Sequence, residues 1–333
     1  MAEKIAVLGA GSFGTALAVL LDETGRSVSL WGRRADLIAS MAATRMNEGH
    51  LPNVKIPESI SLTARMDGLA DASIVIFVTP STAIREVAQQ LAGLSIRPET
   101  ILLSCTKGLE RGSGRRMSEI LSESFPRNPI AVLSGPNHAE EIAAKMPAAM
   151  VIGSENSDVA AKLQQIFSHK TLRAYTSGDV AGIELGGALK NIFAIAAGAS
   201  DGLGFGDNSK AALVTRSLVE LTRLGMALGG QRETFHGLGG MGDLIVTCFS
   251  RHSRNRRVGE RLGRGESLDE ICRSMTMVAE GVPTAQSAFE CARAKGVETP
   301  IIDQVFKVLY EKKPAAAAMH ELMSRDLRAE AQL

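Results

Sequence analysis

A single lysine, Lys190, stands inside Gly186-Gly187-Ala188-Leu189-Lys190-Asn191-Ile192-Phe193-Ala194-Ile195-Ala196-Ala197-Gly198. An ammonium in so apolar a stretch is costly to bury without a partner. On a helix its neighbours three and four residues before are Gly187 and Gly186, and four after is Ala194. Those small residues hollow the face around the amine and leave room for a ligand against it. A desolvated amine in such a recess suits proton transfer. The alternative is a lysine whose stem follows apolar surface while its tip reaches water. A second group opens the chain. Gly9, Gly11 and Gly14 form Gly-x-Gly-x-x-Gly between an apolar run at 5–8 and a helical stretch at 15–21. Gly9 permits a tight turn out of a strand, Gly11 lets a pyrophosphate approach the backbone, and Gly14 lets helix and strand pack closely. The free N–H groups of the helix start face the phosphates. Strand before and helix after, the motif reads as a dinucleotide site rather than a plain turn.

A third group follows the strand at 28–31, where Gly32-Arg33-Arg34 stands about 20 residues beyond the glycines. A carboxylate there would accept from the ribose hydroxyls of NAD. Two guanidiniums instead suit a 2′-phosphate by charge and forked donors. NADP(H) is therefore expected to be accepted and preferred, with NAD(H) as the second cofactor; a solvated arginine pair is the plain alternative.

Further candidates lie where apolar runs end. Lys107 follows the strand at 101–105, and Gly135-Pro136-Asn137-His138-Ala139 follows the strand at 130–133. Asn137 is expected to cap a helix at 139–145, and Ser81 one running to 91. Gly237-Leu238-Gly239-Gly240-Met241-Gly242-Asp243 delivers one carboxylate, Asp243, which serves equally as a helix cap. If Ser253 caps the next helix, Arg254 and Asn255 lie in its first turn, a good phosphate site.

Two kinds of element must position these groups. Strands and helices alternate up to about residue 177, including strands at 74–78, 150–152 and 172–175, which implies a mostly parallel, doubly wound Rossmann-type sheet. From 178 helical periods take over, at 180–199, 209–228, 254–262, 268–275, 284–295 and 301–310. The expected architecture is α/β, with a dinucleotide domain at 1–177 and an all-α substrate domain at 178–333. A chain of 333 residues, 45% hydrophobic and 22% charged, supports two such cores. The net charge of +1 and a basic run at 251–257 without interleaved aromatics argue against nucleic acid. No run is expected to reach the roughly 20 apolar residues of a membrane span. Four scattered cysteines fit reduced thiols and a cytoplasmic protein, and six unclustered histidines suggest no metal.

Taken together, Gly187-Ala188-Leu189-Lys190-Asn191-Ile192, the opening 9–18, Cys105-Thr106-Lys107-Gly108-Leu109, Ser134-Gly135-Pro136 and 253–257 resemble the bacterial-type NAD(P)-dependent glycerol-3-phosphate dehydrogenases. The resemblance runs from about residue 4 to 322. It implies reversible reduction of dihydroxyacetone phosphate to sn-glycerol 3-phosphate for glycerophospholipid synthesis, and a homodimer. It implies Lys190 as general acid/base, with Asp243 beside it as the second catalytic residue. It places Ser12, Phe13, Arg33, Arg34, His50, Lys107, Ala139, Arg254, Val278 and Glu280 on the cofactor. On the substrate it places Lys107, Gly135, Asn137, Lys190, Asp243, Ser253, Arg254 and Asn255. Phe13, Asn137 and His50 depart from the more usual Trp, Ser or Thr, and Tyr. Two rivals remain: a related hydroxyacid dehydrogenase, which would depend on a substrate carboxylate, and a non-catalytic NADP(H) sensor, which has no use for Lys190.

Overall fold

The computed structural model describes residues 3–275, 277–327 and 329–330, and the chain divides into two compact units. The first runs through Lys107 and resumes over Arg116–Val180; the second takes Gly108–Arg115 and Ala181 onward. A contiguous division at 177 assigns 108–115 to the first unit, whereas the fold assigns it to the second: Ser287 Oγ donates to the Glu110 carbonyl, and Arg111 donates twice to Gln286.

The first unit holds strands β1 (Lys4–Leu8), β2 (Ser27–Trp31), β3 (Met46–Asn47), β4 (Leu51–Lys55), β5 (Ser61–Thr63), β6 (Ile74–Phe77), β7 (Ile101–Ser104), β8 (Ile130–Ser134), β9 (Ala148–Gly153) and β10 (Leu172–Ser177). Its helices are α1 (Ser12–Asp22), α2 (Ala35–Thr44), α3 (Ile84–Ala92), α4 (Met117–Ser124), α5 (Ala139–Ala143) and α6 (Ser157–Phe167). The main sheet has the order β10-β9-β8-β7-β6-β1-β2-β5, while β3 and β4 form a separate antiparallel hairpin. Neighbours in the main sheet are parallel except β8 and β9, which reverses the β9–β10 edge. The strand runs are continuously apolar because both faces are covered. Ile5 and Val7 enter one core with Leu17, Leu30 and Ile76, and Ala6 and Leu8 enter another with Phe77, Val87 and Ile120. Strand order changes direction at β1, between β6 and β2, and ligands of such sheets bind at the C-terminal ends of strands near that point.

Ser81 does not cap α3. It opens a 3-10 turn, Ser81–Ala83, from which α3 continues with Ala83 at its N-cap.

The second unit contains α7 (Val180–Gly202), α8 (Asp207–Ala227), α9 (Arg232–Phe235), a π turn (Leu238–Gly242), α10 (Asp243–Phe249), α11 (Arg254–Gly263), α12 (Leu268–Ser274), α13 (Gly281–Lys295), α14 (Pro300–Tyr310) and α15 (Ala315–Met323). Its apolar core surrounds α7, through Leu185, Leu189, Ile192 and Phe193. Among the described residues one helix, α7, is long and apolar enough to cross a membrane by length and composition alone. Its most apolar window is 83% buried by protein, so the hydrophobicity belongs to a central core helix.

Candidate active site

In the first unit the three glycines of the motif differ in what surrounds them. Gly9 has φ +129°, donates to the Trp31 carbonyl at 2.9 Å, and leaves no room for a side chain, since a Cβ would lie 2.6 Å from the Val78 oxygen. A Cβ on Gly14 would lie 1.9 Å from the Gly9 oxygen, so only glycine lets α1 seat so close to the turn. Gly11 is different: a Cβ there would meet nothing nearer than His50 Cδ2 at 3.9 Å. Gly11 is also the N-cap of α1, no side chain caps the helix, and its first turn carries no acid. The backbone there is open, which suits the approach of a pyrophosphate.

The other candidates of this unit lie around that turn or at neighbouring strand ends. Ser12 Oγ donates to the His50 carbonyl at 2.6 Å, and the His50 Nδ1 is buried without a partner. Phe13 is partly buried against the sheet core. Arg33 and Arg34 follow β2 directly, with more than half of each side chain exposed. Their nearest carboxylates, Glu86 at 3.8 Å and Asp36 at 3.7 Å, are loose exposed pairs that leave both guanidiniums available. Lys107 Nζ donates to the Gly135 carbonyl at 3.2 Å and to Asn137 Oδ1 at 3.1 Å. The expected cap by Asn137 is not formed: α5 starts after His138, and Asn137 turns to Lys107 because an ammonium is a stronger donor than a helix N–H. The Asn137 Nδ2 is buried with no partner, a donor available to a ligand. Ala139 is the first residue of α5 and is buried. An open glycine face, an uncapped helix start, two accessible guanidiniums and the unpaired His50 nitrogen fit a nicotinamide dinucleotide.

In the second unit Lys190 is 5% exposed and pairs with Asp243 Oδ1, itself 1% exposed. Its ammonium also donates to Thr247 Oγ1 at 2.9 Å, and that hydroxyl donates to the Asp243 carbonyl at 2.6 Å. Asp243 and Thr247 stand one turn apart on α10, so one helix face supplies both partners.

Gly186 does not leave the room that small size alone suggests. A Cβ on Gly186 would lie 2.2 Å from the Gly239 oxygen, so the π turn fills the hollow. A Cβ on Gly240 would lie 2.2 Å from the Phe235 oxygen. These close backbone approaches let the turn end at Asp243, against the lysine. Burying the ammonium is thereby balanced by a carboxylate and a hydroxyl.

Ser253 caps α11 as expected, accepting from the Arg256 N–H at 3.2 Å. Arg254, in the first turn, donates to the Val278 carbonyl at 2.8 Å, which brings two predicted residues together. Val278 is exposed, and Glu280 is the N-cap of α13. The Asn255 amide is committed within the protein: its Nδ2 donates to Asn191 Oδ1 at 2.8 Å, and its Oδ1 accepts from the Gly281 N–H at 2.8 Å. A ligand at this helix start would meet the Asn255 backbone rather than its side chain. Sequence reasoning missed Thr247 and the tie through Asn191. The spacing of Thr247 from Asp243 was a usable signal, but only once 243–249 was known to be helical.

Residues 4–160 and 179–320 match the N- and C-terminal parts of the family described as NAD-dependent glycerol-3-phosphate dehydrogenase. The chain belongs to that family. It is 47% identical over 334 residues to a glycerol-3-phosphate dehydrogenase [NAD(P)+] of Geobacter sulfurreducens, covering 99% of both chains. It is 45% identical over 330 residues to the enzyme of that name from Prosthecochloris aestuarii, covering 98% of this chain and 99% of the relative. The crystal structure of glycerol-3-phosphate dehydrogenase from Coxiella burnetii superposes with a TM-score of 0.94 at 38% identity, covering 97% of this chain and 99% of that one. Membership makes the chain an oxidoreductase that depends on NAD(P).

Proposed function

We propose that this chain reduces dihydroxyacetone phosphate reversibly to sn-glycerol 3-phosphate, with Lys190 exchanging the proton at the substrate oxygen. The observation that carries the reading is the buried Lys190–Asp243–Thr247 cluster in a chain matching the family over both its parts. When bound, the reduced nicotinamide supplies the hydride for the C2 carbonyl. The Lys190 ammonium donates a hydrogen bond to that oxygen, stabilises the charge it gains and passes it a proton. Asp243 and Thr247 hold the amine in place, a positioning role their hydrogen bonds already perform. Arg254 and the Ser253-capped start of α11 hold the substrate phosphate, which lends binding energy remote from the reacting carbon. Lys107, Gly135 and Asn137 contribute to the substrate from their strand ends. Arg33 and Arg34 hold a 2′-phosphate, which supports a preference for NADP(H) over NAD(H).

The product fits supply of a glycerophospholipid backbone. Cytoplasmic residence is supported by the four unpaired cysteines, two of them buried with thiols pushed up by burial. Pairing of two copies is supported by Ile245 and Phe249, apolar and exposed on one side of α10, and sedimentation tests it. The activity is tested by following loss of reduced-nicotinamide absorbance with dihydroxyacetone phosphate and with 2-oxo acids. Turnover with the triose phosphate alone is expected, and it should vanish in Lys190→Ala while NADPH still binds. Turnover that survives in Lys190→Ala refutes the assignment.

A further inference from the structure

The glycine turn that would hold the dinucleotide is not held by its own residues alone. Asn47, at the end of β3, is completely buried, yet it lies outside the motif and outside every residue assigned above. Its Nδ2 donates to the Ala10 carbonyl at 3.0 Å and to Thr15 Oγ1 at 2.8 Å. The first partner is the residue between Gly9 and Gly11, and the second lies in the first turns of α1. Only this amide orientation serves both, because the Ala10 carbonyl can accept but not donate. The same short turn makes a second tie: the His50 N–H donates to the Asn47 carbonyl at 3.1 Å, and the His50 carbonyl accepts from Ser12.

We infer that Asn47 is a positioning residue for cofactor binding, fixing the Gly9–Gly14 turn by bridging the Ala10 carbonyl to the start of α1. The physical reason is that two of the three glycines carry the turn through conformations and approaches that only glycine tolerates, and glycine backbone is the most mobile. A mobile turn must be ordered when the pyrophosphate arrives, and that ordering is charged against affinity. An amide with both hydrogens engaged, anchored in the β3–β4 hairpin, orders it beforehand. Asn47 acts on the turn, not on the reacting atoms, so its loss should weaken cofactor binding and leave the chemical step alone.

The inference rests on the glycine turn holding the dinucleotide. The chain has one tryptophan, Trp31, buried at the end of β2, with its carbonyl bonded to the Gly9 N–H. Quenching of its fluorescence therefore reports NADPH titrations of the wild type, Asn47→Ala and Asn47→Asp. Both variants are expected to raise the Kd for NADPH about 10- to 50-fold, with the aspartate worse because it faces the Ala10 oxygen without a donor. At saturating cofactor, kcat and the KM for dihydroxyacetone phosphate should stay within about twofold. A lower melting temperature with unchanged Kd would show a merely structural role and overturn the inference. If Asn47→Ala does not accumulate folded, Thr15→Val removes only the helix end of the bridge and must still raise Kd about threefold; no change there overturns it as well. Absence of NADPH binding by the wild type would sink the reading of the turn itself, and this inference with it.

Discussion

Replacing Lys190 by Met separates what the lysine does for folding from what it does for chemistry. The substitution keeps an unbranched stem of similar length but removes the ammonium. Asp243, 1% exposed, then loses the ammonium it pairs with, and Thr247 Oγ1 loses its donor. Breaking a buried pair in this way costs about 3–5 kcal/mol. For a unit of this size that lowers the melting temperature by roughly 6–20 °C, at about 2–4 °C per kcal/mol. Asp243→Asn should also destabilise, because it removes the carboxylate charge that balances the buried ammonium. The double variant Lys190→Met with Asp243→Asn removes both charges and should be less destabilised than the sum of the singles by about 2 kcal/mol or more. Lys190→Arg keeps a cation for Asp243 and should recover much of the stability. It should not recover turnover, since a guanidinium does not release its proton in this pH range. The measurements are urea unfolding of the wild type and all four variants with the slope held constant, and initial rates of dihydroxyacetone phosphate reduction. Single variants within about 1 kcal/mol of wild type, or strict additivity in the double, would refute the reasoning that the pair is buried and coupled.

Glu220, buried on α8, accepts from the Ile301 and Ile302 N–H groups at the start of α14, and burial outweighs those bonds to push its carboxyl up to about 7. The folded state therefore favours the protonated form; this contribution to stability is full below the ordinary value of 4.5 and is lost as pH rises through about 7. Urea unfolding at pH 5 and 8 should show a loss of up to about 3 kcal/mol that Glu220→Gln removes; an equal pH slope in both proteins excludes it. Gly259→Ala should destabilise the second unit by more than about 2 kcal/mol, despite better helix propensity, because its Cβ would lie 1.9 Å from the Ile195 oxygen where α11 crosses α7. A melting temperature equal to wild type would contradict that close approach. Replacing Arg33 and Arg34 together by Ala should raise the KM for NADPH by about 10- to 100-fold while leaving that for NADH nearly unchanged. A parallel rise for both cofactors would mean that the arginines do not read the 2′-phosphate.

Much of this protein is written locally. The apolar runs of β1, β6, β7 and β8, the Gly9–Gly14 spacing, the two arginines after β2 and the Ser253 cap each depend on residues close in sequence, so periodicity and turn chemistry suffice to find them. The oddity of Lys190 was also visible, because a charge among alanines and leucines needs a reason. Of its partners, Asp243 was a candidate carboxylate, but the Thr247 hydroxyl and the way both reach the amine were not visible. The carboxylate and hydroxyl come from 53 and 57 residues away, on a helix that starts only after a π turn packed onto Gly186. The same holds for Asn137, where local rules favour a helix cap and a lysine 30 residues distant wins instead. Asn47 reaches the opening motif from 37 residues downstream. Backbone preferences act over a few residues, whereas pairing of buried polar groups is settled by whatever the packed chain brings within hydrogen-bond reach; the glycines announced that something would approach closely, and only the fold decided what.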